Sequence, residues 1–523
     1  MVKPRFKTGA TSRGDALLDS SDRRIDSPLM HITGLTLLWV AGGVAISALV
    51  EFGYGDPDTS ALLLSAAILG AVGYFLRRVS KVDRLDTAGA FAVVGWTWLI
   101  VSVAGALPYL LAGTFRYWDD AVFESVSGFS CTGSTVFGAY NDAISDQGHG
   151  ILIYRQLTNW VGGMGIVLLA LTVLPALGRG GLGLIGAEAP GPSSDQLVPR
   201  ISEMAKRLWL LYQGMTALIA TGFKVVGMGV YDAIAHSLAA AATGGFSPKD
   251  SSIGSFDSIA IEIVAMLAMI IGGMNFAVHN RALQGEPRAY FRDAETKMYL
   301  LWIAGAATLV VSLLWFDSAL GFGDSLRSGL FNTVAIATST GFGNATAAGS
   351  PGDFVTWIAG PQLVILILMM VGASTGSTSG GVKVMRIQIL GRYVHRFLQG
   401  IRHRNLVLPV KIGGQRVKDH LVERVVGFML LYSVIVFVGI VVVTALGADL
   451  MTAVGGVVGS LGNTGPALGD AGPTASFIDG YSRPARMVLA VLMLVGRLEL
   501  FPMLLMLVVP RRIYRTVRPR KHF

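Results

Sequence analysis

Cys131-Thr132-Gly133-Ser134, Ala242-Thr243-Gly244-Gly245, Ser339-Thr340-Gly341-Phe342 and Asn463-Thr464-Gly465-Pro466 are the four stretches that decide how this chain reads. Each Thr-Gly ends a short run of apolar or small residues, and each run lies between two long hydrophobic stretches. The copies recur roughly every 100–125 residues, too long a period for a solenoid and suited to a membrane module. Four such modules can close a ring around one axis. A glycine in that ring takes backbone angles closed to other residues, so its neighbours' carbonyls can face inward. A ring of inward carbonyls replaces the water shell of a cation, which is how a selectivity filter works. A lone Thr-Gly carries no information. The plainer reading, glycines that only allow tight turns, needs the same coincidence at four matched places.

The 523 residues are 52% hydrophobic and 14% charged, against about 25% charged in soluble proteins. Mostly apolar runs of about 18 residues or more recur along the chain, so this is a polytopic membrane protein. The 66 glycines suit close helix packing and re-entrant backbone. The single cysteine, Cys131, excludes an internal disulfide. A net charge of +9 does not point to nucleic acid, because the basic residues gather in loops on one side. The first thirty residues are polar and basic without an apolar run and cleavage site, and read as a cytoplasmic tail.

In chain order, 1–31 reads as a disordered cytoplasmic N-terminus and 32–85 as a transmembrane hairpin outside the repeat. Residues 86–180, 181–290, 291–395 and 396–523 read as pore repeats one to four, the last with a cytoplasmic C-terminus. Within the repeats, 119–131, 231–242, 324–339 and 449–463 are too short to cross a bilayer, which needs about 20 residues. They read as half-helices descending to each Thr-Gly. Loops after each second span are rich in arginine and lysine, such as Arg281, Arg288, Arg292 and Lys297, while the loops flanking the Thr-Gly copies hold few, such as Arg116, Lys249 and Arg483. All four filters therefore enter from outside, and the repeats are parallel. Inverted repeats mark many alternating-access transporters. The expected fold is all-α: four parallel span–pore loop–span repeats around one pore, plus the extra N-terminal hairpin.

Two motifs are decoys. Gly178-Arg179-Gly180-Gly181-Leu182-Gly183 fits G-x-G-x-x-G but follows a membrane span and lies in no βαβ unit. Residues 376–383, GSTSGGVK, lack the Gly-Lys-Ser/Thr of a phosphate-binding loop. No nucleophile–base pair or histidine metal spacing stands out, so the chain reads as a transporter and not an enzyme. His236, in the second half-helix, reads as a packing or filter-support residue.

Half-helices that point inward from outside turn their partly negative C-terminal ends to the pore centre, which favours cations. Cys131, Thr132 and Gly133 with Ala242, Thr243 and Gly244, then Ser339, Thr340 and Gly341 with Asn463, Thr464 and Gly465, are the candidate cation ligands. Oxygen-only donors suit hard monovalent cations. Two features break the fourfold pattern. Residues 372–381, GASTGSTSGG, interrupt the third repeat's second span, and their Gly372, Gly376, Gly380 and Gly381 suit irregular backbone. Such backbone at membrane depth is tolerated where it lines a cavity or is buried in protein, so the loop reads as a gate; the alternative is a helix end followed by a cytoplasmic loop. Arg497 lies midway along the last apolar span, where a charge costs about 2.5–3.5 kcal/mol on insertion scales. It is expected to face the pore or to pair with the 372–381 loop. Glu499, two residues on, lies on a different helix face.

At this point the chain resembles the TrkH/TrkG potassium-uptake proteins, within the wider group that includes KtrB and the plant HKT proteins. The likeness rests on the four Thr-Gly segments, RQLTNWVGGMGI at 155–166, AEAPGP at 187–192 and SLGNTGPALGD at 460–470. STGSTSGGVKVMRI at 374–387, VKIGGQRV at 410–417 and GRLELF at 496–501 extend it. It covers about 32–515, and the N-terminal hairpin and AEAPGP favour TrkH over KtrB. The resemblance implies potassium bound by the filter, with Gly133, Gly244, Gly341 and Gly465 as its glycines, 372–381 as gating loop and Arg497 as pore arginine. It also implies a homodimer in the bacterial inner membrane, no organic cofactor in this chain, and a cytosolic TrkA-like subunit with nucleotide-binding RCK domains. In some plant relatives a serine at the first filter glycine accompanies sodium permeation; Gly133 is what potassium requires. The competing reading is a proton- or sodium-coupled potassium symporter, with Glu124 and Glu262 as candidate proton carriers.

Overall fold

The computed structural model describes residues 25–81, 87–177, 194–317, 320–402 and 409–498. The chain is an all-helical membrane protein with two minor two-stranded pairings. The decoy at 178–183, AEAPGP at 187–192, Glu499 and the basic C-terminus lie outside the described residues.

The order begins with β1 (Ile25–Asp26), α1 (Pro28–Tyr54), α2 (Thr59–Val79) and β2 (Ser80–Lys81). Residues 25–31 are therefore built into the fold, against the expected boundary at 31. Ser27 caps α1 by accepting from Met30 N, Pro28 occupies the first turn, and β1 pairs with β2 in parallel. Gly34 and Gly73 let α1 and α2 cross with backbones in contact: a methyl group on Gly34 would stand 2.7 Å from Gly73 O. The hairpin's outer turn docks on the first repeat, where buried Glu51 accepts from Gly150 N and Asp58 N and Asp56 holds His149 at 2.8 Å.

Of the stretches read as repeats, the first holds α3 (Thr87–Ala104), α4 (Leu107–Ala112), α5 (Trp118–Phe129) and α6 (His149–Leu177). The second holds α7 (Ser194–Val225), α8 (Val230–Ala241), α9 (Ile259–Gly272) and α10 (Phe276–Leu283). After α11 (Ala289–Arg292), the third holds α12 (Ala294–Asp317), α13 (Phe322–Ala337), α14 (Ala359–Met370) and α15 (Val384–Arg402). The hairpin of β3 (Lys411–Ile412) and β4 (Gln415–Arg416) precedes α16 (Asp419–Ala445), α17 (Leu450–Gly462), α18 (Phe477–Gly480) and α19 (Arg483–Arg497). Short helices α5, α8, α13 and α17 coincide with the four expected half-helices.

One apolar run is sharply bent: within residues 257–283, α9 and α10 meet at 97°. Gly273 ends α9, and Asn275 starts a new helix by accepting from Ala277 N. With this bent pair counted once, up to six of the described helices or pairs are long and apolar enough to cross a membrane.

Candidate functional site

The four short helices end alike. Past each last turn the chain turns left-handed at a residue other than glycine: Cys131 (φ 53°), Thr243 (φ 50°), Ser339 (φ 55°) and Asn463 (φ 53°). The N–H of that residue bonds the carbonyl three back, and the next N–H bonds the carbonyl five back. The pairs are Cys131 to Gly128 and Thr132 to Ser127, then Thr243 to Ala240 and Gly244 to Ala239. Ser339 to Ile336 and Thr340 to Ala335, then Asn463 to Ser460 and Thr464 to Gly459, complete the set. These bonds satisfy helix-end carbonyls that would otherwise lie buried without partners. Two residues past each left-handed turn stands a second positive φ, now at glycine: Gly133 (84°), Gly245 (75°), Gly341 (76°) and Gly465 (95°).

This pattern moves the second segment by one residue. Its members are Thr243, Gly244 and Gly245, not the Ala242, Thr243 and Gly244 read from the sequence. Ala242 is still right-handed and caps α8. Matching on the Thr-Gly dipeptide misplaced it, because here threonine fills the left-handed position and Gly244 the position held by threonine elsewhere.

The four segments close on one another. A methyl group on Gly133 would overlap Gly244 O, on Gly245 Thr340 O, and on Gly341 Thr464 O, while on Gly465 it would crowd Thr132 O. Contact therefore runs from the first segment to the second, third and fourth and back to the first, which makes a ring. Side chains brace the last junction: Ser134 Oγ donates to Gly465 O and Asn463 Nδ2 to Thr132 Oγ1, both at 2.9 Å. Against the ring lies a vestibule lined by Gly133, Gly245, Gly341 and Pro466 together with Arg155 and Lys249.

The segments leaving the ring are held by buried polar groups that sequence reasoning did not connect. Glu124 pairs with Arg155 at 2.6 Å and accepts from Val136 N and Thr135 Oγ1. Arg155 also donates to Ser247 O at 2.7 Å and covers the Phe246 ring. His236 bonds Asp232 O through Nδ1 and Ser247 Oγ through Nε2, so it supports the ring's second segment. Glu262 pairs with Arg327 at 2.7 Å. Both carboxylates considered as proton carriers are thus held by arginines. Outside the ring, Tyr140 lies between Asp120 and Arg486, and burial with the Asp120 bond pushes its phenol up to about 12.

The 372–381 loop packs against the helix-end side of the ring. Val371 bridges Val382, and Val382 N donates to Met370 O, which pins the loop's two ends together. Gly376 (φ 72°) and Gly381 (φ 70°) make its turns. A methyl on Gly372 would overlap Gly380 O, and one on Gly380 would stand 2.5 Å from Gly462 O. All four left-handed residues face this loop or Arg497. Thr243 Oγ1 meets Thr378 Oγ1 at 3.1 Å, Ser339 Oγ accepts from Gly380 N at 2.9 Å, and Asn463 packs on Gly380. Arg497, 2% exposed, donates to Thr378 O, Gly162 O and the Cys131 sulfur. Of the two expectations for Arg497, pairing with the loop is the one observed.

The loop's other side sits on the break between α9 and α10. Ser374 N donates to Gly273 O and Phe276 N to Gly376 O. Buried Glu295, at the start of α12, accepts from Thr375 N at 2.6 Å, and Lys383 Nζ donates to Ser379 O. Gly272-Gly273 followed by Asn275 was the available signal for that break, a helix stop and an N-cap together. Nothing local marked Glu295, whose partner lies 80 positions away.

Residues 60–513 match the TrkH family, described as cation transport protein. The chain is 36% identical to the Trk system potassium uptake protein TrkH of Halomonas elongata over 479 residues, 90% of this chain and 96% of that one. It is 33% identical to the protein of that name from Escherichia coli K12, over 91% of this chain and 97% of that one. The crystal structure of the potassium transporter TrkH from Vibrio parahaemolyticus superposes with a TM-score of 0.80 at 31% identity, covering 93% of this chain and 99% of that chain. Matched over most of its length in sequence and in fold, the chain belongs to the TrkH family of cation transport proteins.

Proposed function

We propose that this protein takes up potassium across the bacterial inner membrane, through a pore whose filter is the ring 131–133, 243–245, 339–341 and 463–465. The observation that carries the reading is ring closure: four backbone segments in mutual contact, each held open by a glycine no other residue can replace without overlap. Backbone carbonyls gathered in this way coordinate a dehydrated potassium ion. The relatives' names point to the same ion. The 372–381 loop and Arg497 act as the gate, and a cytosolic TrkA-like nucleotide-binding subunit acts on it from α15, working with a homodimer of this chain. The ion pairs at Glu124 and Glu262 favour conduction over proton coupling. The test is purified protein in proteoliposomes with potassium and sodium gradients. Conduction gives a reversal potential set by potassium alone; a shift with pH or sodium at fixed potassium establishes symport instead.

A further inference from the structure

The vestibule against the ring is uncharged over most of its wall. Its lining from the first, third and fourth segments is glycine, proline, threonine and apolar residues, and its charged side chains are Arg155, Lys249 and Asp250. Arg155 is buried and already bound to Glu124. Lys249 and Asp250 are neighbours with different surroundings. Lys249 Nζ lies 3.7 Å from Asp232 Oδ1, which draws its charge toward the start of α8. Asp250 takes neutral donors: Ile144 N at 2.8 Å, Ser145 Oγ at 2.5 Å and Ser145 N at 3.4 Å. Neutral donors hold a carboxylate without cancelling its charge, and among the described residues no ion pair to Asp250 is seen. One uncompensated negative charge therefore faces the mouth of the ring.

We propose that Asp250 is the cation-attracting residue of this vestibule, raising the local concentration of potassium at the ring, while Asp232 holds the Lys249 ammonium aside. The proposal rests on the potassium reading above. A unit charge in such a mouth raises the local monovalent cation concentration about two- to threefold at low ionic strength. The effect fades as added salt shortens the screening length.

The experiment measures initial potassium uptake into proteoliposomes against external potassium, in low salt and again with high choline chloride. At low salt, Asp250→Asn raises the half-saturating potassium concentration about two- to threefold. Asp232→Asn, which frees Lys249, shifts it the same way, and Lys249→Gln lowers it. Asp250→Glu stays near wild type. All these differences close at high salt, with maximal rate and ion preference unchanged. The proposal is overturned if Asp250→Asn matches wild type at low salt. A defect that persists at high salt also overturns it, since Asp250 then only braces Ile144 and Ser145. Should Asp250→Asn not fold, Asp250→Ser, whose hydroxyl can still accept from Ile144 N, takes its place with the same expected shift and the same overturning outcomes. Failure of the potassium reading is distinct, because wild type would then show no saturable potassium uptake.

Discussion

The ring and the loop packed on it touch throughout, yet they are held together by different groups. The ring is backbone against backbone: Gly133, Gly245, Gly341 and Gly465 each meet a carbonyl of the next segment, and no rotamer change relieves an added atom there. The loop is held by hydroxyls and charged side chains from other helices: Thr243, Ser339, Glu295 and Arg497. Backbone overlap leaves one arrangement. Hydrogen bonds between side chains can be exchanged for others at a net cost of about 1 kcal/mol each. The loop has tight glycines of its own at Gly372 and Gly380, so the difference is one of degree: the ring's four junctions are glycine against carbonyl, whereas the part proposed to move is tied to its surroundings by hydroxyl, carboxylate and guanidinium groups as well.

The sharpest way to break this comparison is inside the second ring segment. Gly245→Ala puts a side chain into left-handed backbone, at a cost of about 1–2 kcal/mol, and drives its methyl into Thr340 O. Potassium-over-sodium preference in proteoliposomes should be lost. Gly244→Ala instead meets the Asn159 side chain, 2.6 Å from its Cγ, in backbone that alanine tolerates. Its preference should survive, and Asn159→Ala in the same chain should repair any residual defect in uptake. If the Thr-Gly dipeptide set the register, the two glycine variants would exchange phenotypes.

That pair also marks how much was legible in the sequence. The four short helices, the ring segments at 131–133, 339–341 and 463–465, the break in the apolar run at 372–381 and the family were all readable from hydrophobic runs and local motifs. The register at Thr243–Gly245 was not, because a dipeptide match cannot see which residue leaves the helix. The break at Gly273–Asn275 was hidden inside an apolar run. The pairs Glu124–Arg155 and Glu295–Thr375 were hidden for another reason: a buried charge in one repeat is satisfied by a group far along the chain. Arg497 was visible as a charge in an apolar span, but its three acceptors come from the loop and the first repeat.

Arg497→Ala should produce the next largest effect, on flux and not on preference. Arg497 spans both regions, donating to Thr378 O in the loop and to Cys131 in the ring. Hydrogen bonds from a charged donor contribute about 1.5–3 kcal/mol each. Their loss frees the loop from the first repeat. Basal potassium flux without the cytosolic subunit should rise at least several-fold while sodium remains disfavoured. Unchanged or lower flux in a folded protein refutes the gate, and loss of preference shows that Arg497 belongs to the ring.

The smallest change asks whether the two regions are separable at all. Thr378 Oγ1 meets Thr243 Oγ1 at 3.1 Å and shares its one proton between Ala241 O and Gly272 O, each 3.2 Å away, so one hydroxyl joins the loop to the second repeat. Thr378→Val keeps the shape and deletes the hydroxyl. Buried carbonyls left without this donor make the loop-closed state less stable by about 1–3 kcal/mol, enough to raise basal flux a few-fold. Thr378→Ser retains the hydroxyl and should stay near wild type, which separates the hydrogen bonds from packing. Ion preference should not move in either variant, because Thr243 keeps its left-handed turn through its own backbone bond to Ala240 O. A loss of preference in Thr378→Val would mean that the loop shapes the ring through Thr243, and that opening one necessarily distorts the other.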